Sequence, residues 1–330
     1  MLRTIVRRFG RAAEVVETEE YVPPAATAGQ VRVRMLLASV NPSDLVPIAG
    51  AYASRTSLPM VPGFEGVGVV EQVGAGVVGL APGRRVLPLG SAGAWQQVKT
   101  TDAAWCVPVP DWLTDEQAAC AYINPLTAHR MVQAHVPPGE GTTVVVDAAA
   151  SAIGRMLVRM LNQAGNRVVA LVRHPRGREQ LASAVPELAP EAVLCTADAG
   201  WRTRLREGTG PRGHDVVLDA VGGSLGAELA ALLAPQGTLV HYGLLSGEPL
   251  PADLRTRRPD VNLILFRLRD WVHAADREQL GLAMHGAFRL VADGVAATAV
   301  AAVHGLPDVR RALEADAARG RAGKILLSLH

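Results

Sequence analysis

Residues 31–40 (VRVRMLLASV) begin in strict alternation and pass into a continuous apolar run, which predicts a strand. Residues 2–6 also have strand character, and Val15 and Val16 form a second apolar pair. Residues 66–73 (GVGVVEQV), 85–89 and 97–100 continue the pattern, with a turn at 74–76 (GAG). Gly and Pro punctuate this region about every eight to twelve residues, which suits a small barrel-like β unit.

Near residue 120 the period changes. The run Thr114-Asp115-Glu116-Gln117 carries a capping Thr and an acidic first turn, and so predicts a helix start. Residues 142–146 (TTVVV) form a short apolar strand, and residues 151–164 have helical spacing. Residues 168–172 are apolar again. The cycle repeats with 216–219 (VVLD), a helix over 225–233, and 237–242 (GTLVHY). Strands alternating with helices predict βαβ units and a parallel sheet covered on both faces. Residues 261–268 (VNLILFRL) are a further strand candidate, 276–293 a helix, and 324–329 (KILLSL) a final strand. The expected class is α/β: a β-barrel unit, a doubly wound parallel-sheet unit, and a C-terminal return to the first.

Composition narrows the function. The chain has 330 residues, 49% of them apolar and 19% charged, which is a globular composition with room for about two domains. A net charge of +2 gives no electrostatic footprint for nucleic acid or an anionic membrane. No apolar run approaches the roughly 20 residues that span a bilayer. Three scattered cysteines, Cys106, Cys120 and Cys195, form no CxxC pair and suit a reducing compartment. The Arg-rich start, MLRTIVRRFGRAAEVV, has the composition of a transit peptide, but residues 2–6 read as a folded strand, so a cytoplasmic protein is expected.

Candidate chemistry concentrates in residues 41–68 (NPSDLVPIAGAYASRTSLPMVPGFEGVG), a polar stretch between apolar runs that holds Asp44, Tyr52 and Glu65. A second candidate is the first βα turn of the parallel sheet, 147–154 (DAAASAIG). It follows a strand and opens a helix, the setting for phosphate binding through Ser151, Ala152, Ile153 and Gly154. It is not G-x-G-x-x-G, since only Gly154 stands, and an ordinary tight turn is the other reading. The next strand ends in Arg173-His174-Pro175-Arg176 with no carboxylate for ribose hydroxyls. Arg173 and Arg176, with His174 between them, suit a 2′-phosphate and hence NADPH; the other reading is a solvated basic loop.

Taken together, several ordered stretches resemble the medium-chain dehydrogenase/reductase superfamily, and within it the 2-enoyl thioester (trans-2-enoyl-CoA/ACP) reductases. They are 31–38 (VRVRMLLA), 41–44 (NPSD), 50–52 (GAY), 62–66 (PGFEG), Ala94-Trp95, 124–130 (NPLTAHR), 220–223 (AVGG), 241–243 (HYG) and 323–326 (GKIL). The resemblance implies a GroES-like catalytic domain, residues 1–123 with 272–330, and a Rossmann NADPH-binding domain, 124–271. It also implies a site in the cleft between them and a homodimer, with the bare edge of residues 261–268 as a candidate for pairing. Zinc members hold their metal with Cys and His. At the matching positions this chain has Asn41 and Phe64, which offer neither thiolate nor imidazole, so no metal is expected and both residues are expected to line the site.

By the same resemblance, NADPH (NADP+) is the cofactor and a small-molecule enoyl thioester, linked to CoA or a carrier protein, the substrate. Tyr52 matches the proton donor or enolate hydrogen-bond donor; a phenol of pKa about 10 is protonated at neutral pH. Asn124 matches a position beside the nicotinamide, or else caps a turn before Pro125. Trp95 lines the acyl pocket or packs in the core. Tyr242, Gly243, Phe266, Leu268 and Lys324 match cofactor contacts, and Asp44 and Glu65 are expected to bond loop backbone groups. Two alternatives stay open: a zinc-independent quinone or enone oxidoreductase, and a non-catalytic dinucleotide-binding module that keeps the altered glycine motif. A specialised biosynthetic reductase acting on a carrier-bound acyl group, as in fatty acid or polyketide metabolism, is a variant of the first reading.

Overall fold

The computed structural model describes residues 1–318 and 323–330. In chain order its strands are β1 (Leu2–Val6), β2 (Val16–Glu20), β3 (Gln30–Ser39), β4 (Gly66–Val73), β5 (Arg85–Pro88), β6 (Val98–Asp102), β7 (Cys106–Pro108), β8 (Thr143–Val146), β9 (Arg167–Val172), β10 (Val193–Cys195), β11 (His214–Asp219), β12 (Leu233–His241), β13 (Asn262–Leu265), β14 (Val300–Gly305) and β15 (Lys324–Ser328). The chain divides into two compact units. Met1–Ile123 with Arg269–His330 forms one, and Asn124–Leu268 the other.

The first unit is β-rich. Its larger sheet runs β14-β15-β3-β4-β5-β7, with β6 also paired to β3, and β1 and β2 form a separate hairpin-like pair. Alternation along β3 sends Val31, Val33 and Met35 into a core that also contains Ile48, Trp95, Leu313 and Leu327. Each such side chain contributes roughly 1.5–3 kcal/mol when fully buried. The C-terminal return is a strand pairing: β15 lies antiparallel to β3, with Leu326 opposite Ser39 and Leu327 opposite Ala38. Val40 N extends the contact by donating to Ile325 O at 3.0 Å.

Residues 42–48, expected as loop, form the helix Pro42–Ile48. Proline at the first helical position loses no useful N–H. Asp44, at the third, accepts from the backbone N of Asn41 at 2.8 Å and so closes the first turn. Helix Arg277–Ala292 begins at a similar reciprocal cap, Asp276 with Gln279.

The second unit is a six-stranded sheet in the order β10-β9-β8-β11-β12-β13, and every pairing in it is parallel. The order runs outward from β8 in one direction and from β11 in the other, so the switch point lies between these two strands. Helices Ala152–Gln163, Pro175–Ala184, Trp201–Thr209 and Gly223–Ala231 connect the strands. The strand expected over 261–268 is shorter. β13 is four residues at the sheet edge, and helix Leu268–Ala274 begins soon after it. Apolar character is common to both segments and does not mark the break between them.

Candidate active site

Gly50, at φ +88°, ends the helix Pro42–Ile48 in a conformation that an L side chain rarely adopts. The chain then turns through Tyr52, which precedes the 3-10 turn Ala53–Arg55 and leaves its side chain outside the core. Tyr52 is 46% exposed, in contrast to Asn41, Asp44 and Glu65.

Asn41, Asp44 and Glu65 are buried and committed to one another and to the backbone. Asp44 accepts from the N–H groups of Asn41 and Phe64, both at 2.8 Å. Burial outweighs those bonds and pushes its carboxyl up to about 7. Glu65 Oε1 accepts from the backbone N of Tyr122 and of Ile123, each at 2.8 Å, at the start of helix Ile123–His135. Glu65 Oε2 accepts from Ser39 Oγ at 2.6 Å and from Asn41 Nδ2 at 2.8 Å. Lys324, at the start of β15, completes the network. Its ammonium donates to Asn41 Oδ1 and lies 3.9 Å from Glu65 Oε2.

Lys324 is 5% exposed, and its ammonium is engaged inside the first unit by Asn41 and Glu65. Two expectations change here. Asn41 has both amide ends engaged and supports the loop from below instead of lining an open site. Trp95 is fully buried in the core, with Nε1 donating to Ser39 O at 3.2 Å, so packing is its role and acyl-pocket lining is not. Phe64 is half-buried, with its backbone N–H held by Asp44. Cys120 is buried, and burial pushes its thiol up to about 12, which leaves it a poor metal ligand at neutral pH. Among the described residues, no group of three or more His, Cys, Asp or Glu side chains is placed to hold a metal ion.

In the second unit, the turn after β8 closes tightly on the helix Ala152–Gln163. A Cβ added to Gly154 would sit 2.4 Å from Ala148 O and 2.7 Å from Ala149 Cα, so this glycine is required by close approach to the backbone. Ala148 itself is at φ +43°, a strained conformation for a residue with a Cβ. Ser151 caps the helix by accepting from Gly154 N at 3.1 Å, leaving the first-turn N–H groups of Ala152 and Ile153 for an anion. Arg173, His174 and Arg176 are exposed where β9 ends. Arg173 Nε lies 3.1 Å from His174 Nε2, and neither arginine is paired with a carboxylate among the described residues. A small-residue turn at a helix start beside the switch point, and two guanidiniums just after the next strand, fit a phosphorylated dinucleotide.

The remaining candidates in this unit are spread along its carboxyl edge. Tyr242 N donates to Asp219 O at 2.9 Å, and Gly243 follows. Phe266 N donates to His241 O at 2.9 Å, and its ring meets His135 edge-on at 6.3 Å. Leu268 opens the next helix. Asn124 is the second residue of helix Ile123–His135 and is half-buried.

Sequence reasoning missed a buried cluster. Asp147 follows β8 and Asp219 ends β11 on neighbouring strands; both are buried, and each raises or lowers the other's carboxyl electrostatically. Asp219 Oδ2 accepts from His241 Nδ1 at 2.6 Å. The signal was present in the sequence as two apolar strands that each end in Asp, VVVD and VVLD.

The chain matches two family descriptions, "Alcohol dehydrogenase GroES-like domain" over residues 27–111 and "Zinc-binding dehydrogenase" over 191–327. It is 31% identical over 262 residues to human mitochondrial enoyl-[acyl-carrier-protein] reductase, an alignment that covers 78% of this chain and 68% of that one. Among solved structures, a Bacillus thuringiensis protein named for NADPH:quinone reductase activity superposes with a TM-score of 0.92 at 34% identity, covering 100% of this chain and 99% of that one. A mycobacterial protein solved with NADPH has a TM-score of 0.87 at 28% identity, covering 99% and 100%. With Asn41 and Phe64 in place of metal-binding side chains, the chain belongs to the medium-chain dehydrogenase/reductase superfamily, as an oxidoreductase of its zinc-independent, enoyl-reductase-like group.

Proposed function

We propose that the protein is an NADPH-dependent reductase of an activated carbon–carbon double bond, with a 2-enoyl thioester linked to CoA or a carrier protein as its substrate. The observation that carries this reading is Tyr52. It is an exposed phenol in a stretch where the side chains of Asn41, Asp44 and Glu65 are buried and already bonded, and it matches the proton-donor position implied by the resemblance. The relatives named enoyl-[acyl-carrier-protein] reductase support the thioester. The neighbour solved with NADPH supports the cofactor.

When bound, NADPH supplies a hydride, which the reaction needs at the β-carbon. The turn 147–154 would take the diphosphate, and Arg173 with Arg176 the 2′-phosphate. Negative charge collects on the thioester oxygen during reduction. The Tyr52 O–H donates a hydrogen bond to that oxygen, or its proton to the α-carbon, and so lowers the barrier without a metal. Phe64, in the same stretch as Tyr52, would border the thioester. Hydride and proton together saturate the double bond.

The test is NADPH oxidation with crotonyl and longer enoyl thioesters, with a quinone and an aldehyde alongside. Tyr52→Phe is expected to lower thioester turnover by about 10²–10⁴-fold, with little change in melting because the side chain is exposed. Full turnover in Tyr52→Phe would remove the assignment. A quinone or enone reductase is the second reading, favoured by the close superposition on the Bacillus thuringiensis protein. Faster turnover of the quinone than of any thioester would establish it. NADPH binding without consumption of any of these substrates would instead indicate a non-catalytic dinucleotide-binding module.

Three buried free cysteines support a reducing, cytoplasmic location, and no described helix is long and apolar enough to cross a membrane. The edge strand β13, with Leu265 66% exposed, supports pairing with a second copy. Light scattering showing a monomer at micromolar concentration would exclude the homodimer.

A further inference from the structure

Two carboxyl groups meet at the switch point of the parallel sheet, on the two strands from which the strand order diverges. Asp147 and Asp219 are both buried. Asp147 Oδ1 accepts from Ala220 N at 2.7 Å. Asp219 Oδ1 accepts from Val221 N at 3.0 Å and Gly222 N at 2.8 Å. Asp219 Oδ2 is taken by His241 Nδ1. Only Asp147 Oδ2 has no N–H donor, and it is buried. Two buried carboxyls on neighbouring strands, one with an oxygen that no donor meets, are stabilised by a proton on one of them, which can then be shared.

Between them these carboxyls hold every backbone N–H of residues 220–222, the turn that leaves β11 at the edge where dinucleotides bind in doubly wound sheets. We propose that Asp147 and Asp219 act as a single proton-sharing pair that positions the 220–222 turn, so that NADPH affinity is linked to the proton the pair holds. The proposal rests on the NADPH reading given above for its ligand, and for its proton on the burial of both carboxyls and on Asp147 Oδ2, which no donor meets.

The charges around the pair fix its direction. Asp219 faces His241 from β12, whose imidazole is a strong donor to it, and burial is outweighed there, so Asp219 is the ionised member. Asp147 faces Asp219 from β11 and, from the end of β12, the phenol of Tyr242; it has no cation against it. Burial and the neighbouring carboxylate therefore keep Asp147 protonated well above the ordinary aspartate range. Loss of that proton puts two negative charges at the switch point and repels the dinucleotide diphosphate. His241, with a side chain 14% exposed, borders a cavity of about 260 Å³ with Leu250, Leu263 and Arg255, which leaves the cluster open to exchange with solvent.

Asp147→Asn is the discriminating variant. Its amide keeps an acceptor for Ala220 N and a permanent donor to Asp219, and so mimics the protonated acid. NADPH binding would be followed by fluorescence from about pH 6 to pH 9 in both proteins. Arg173, His174 and the ligand's own phosphate are common to both and cancel in the ratio of dissociation constants. The ratio of wild type to variant is expected to rise roughly tenfold across this range. Two measurements on the unliganded protein decide the proton independently. In an Asp44→Asn background, which removes the other raised carboxyl, the protein should show the infrared C=O band of a buried carboxylic acid at neutral pH, and adding Asp147→Asn should remove it. The wild-type melting temperature should fall relative to that of Asp147→Asn as pH rises, because a raised folded-state pKa costs stability above the unfolded value. Absence of the band in Asp44→Asn, or superimposable pH profiles, would overturn the pair. If Asp147→Asn does not fold, the band in Asp44→Asn still decides. If the band is present and NADPH does not bind, the cofactor reading falls and the proton-sharing pair stands.

Discussion

Lys324→Met tests the network beneath the Tyr52 loop. Methionine keeps an unbranched stem in the same space and removes the ammonium. Asn41 Oδ1 then loses its donor, and Glu65 loses an opposite charge 3.9 Å away. Deleting one partner of a buried ion pair costs about 3–5 kcal/mol. The upper part of that range applies to a charge left bare. Glu65 would keep four donors, Ser39 Oγ, Asn41 Nδ2 and the backbone N of Tyr122 and Ile123, so the loss should fall near the low end, about 3 kcal/mol. For a unit of roughly 150–250 residues this lowers the melting temperature by about 6–12 °C. Thermal and urea unfolding followed by circular dichroism would read it, with an NADPH titration in parallel. NADPH affinity should not change. The double variant Lys324→Met/Glu65→Gln removes both charges and should regain about 1–2 kcal/mol. A single variant within about 0.5 kcal/mol of wild type would refute the network. Weakened NADPH binding at unchanged stability would place Lys324 at the cofactor site.

Two further outcomes follow from other parts of the molecule. Arg173→Ala should weaken NADPH binding by about tenfold while leaving NADH binding within twofold, as expected when a charge-assisted bond to a single phosphate is lost; equal losses for both nucleotides would place Arg173 elsewhere. Asp44, raised from 3.8 to about 7 by burial, favours its protonated form in the folded state, so its contribution to stability is full below about pH 4 and is lost as pH rises through 7. Asp44→Asn should therefore flatten the fall in stability between these values, at the cost of one backbone hydrogen bond, because its amide has one acceptor where the carboxylate has two; a pH–stability curve parallel to wild type would exclude Asp44 as the titrating group.

Much of the fold was legible because its signals are local. The alternation of β3, the apolar runs of β8, β9 and β11, and the cap at Thr114 each depend on neighbours within a few residues. The helix Pro42–Ile48 was missed because its composition, NPSDLVPIAG, is that of a turn; the bond from Asn41 N to Asp44 makes it helical. Tyr52 and the arginines after β9 could be singled out because a scarce residue type, or a charge at a strand end, stands out in one dimension. Trp95 was ambiguous for the opposite reason: a tryptophan has the same appearance in sequence whether it faces a pocket or a core.

The sequence by itself determined the two-unit α/β class, the non-metal character of the positions at Asn41 and Phe64, and the stretch in which Tyr52 stands. Tertiary structure decided which polar groups are spent. Lys324 reaches Asn41 and Glu65 only because β15 pairs with β3, and Asp147 meets Asp219 only because β8 and β11 are neighbours in the sheet. Register and strand order bring together side chains remote in sequence, and periodicity, being local, carries no trace of such pairings.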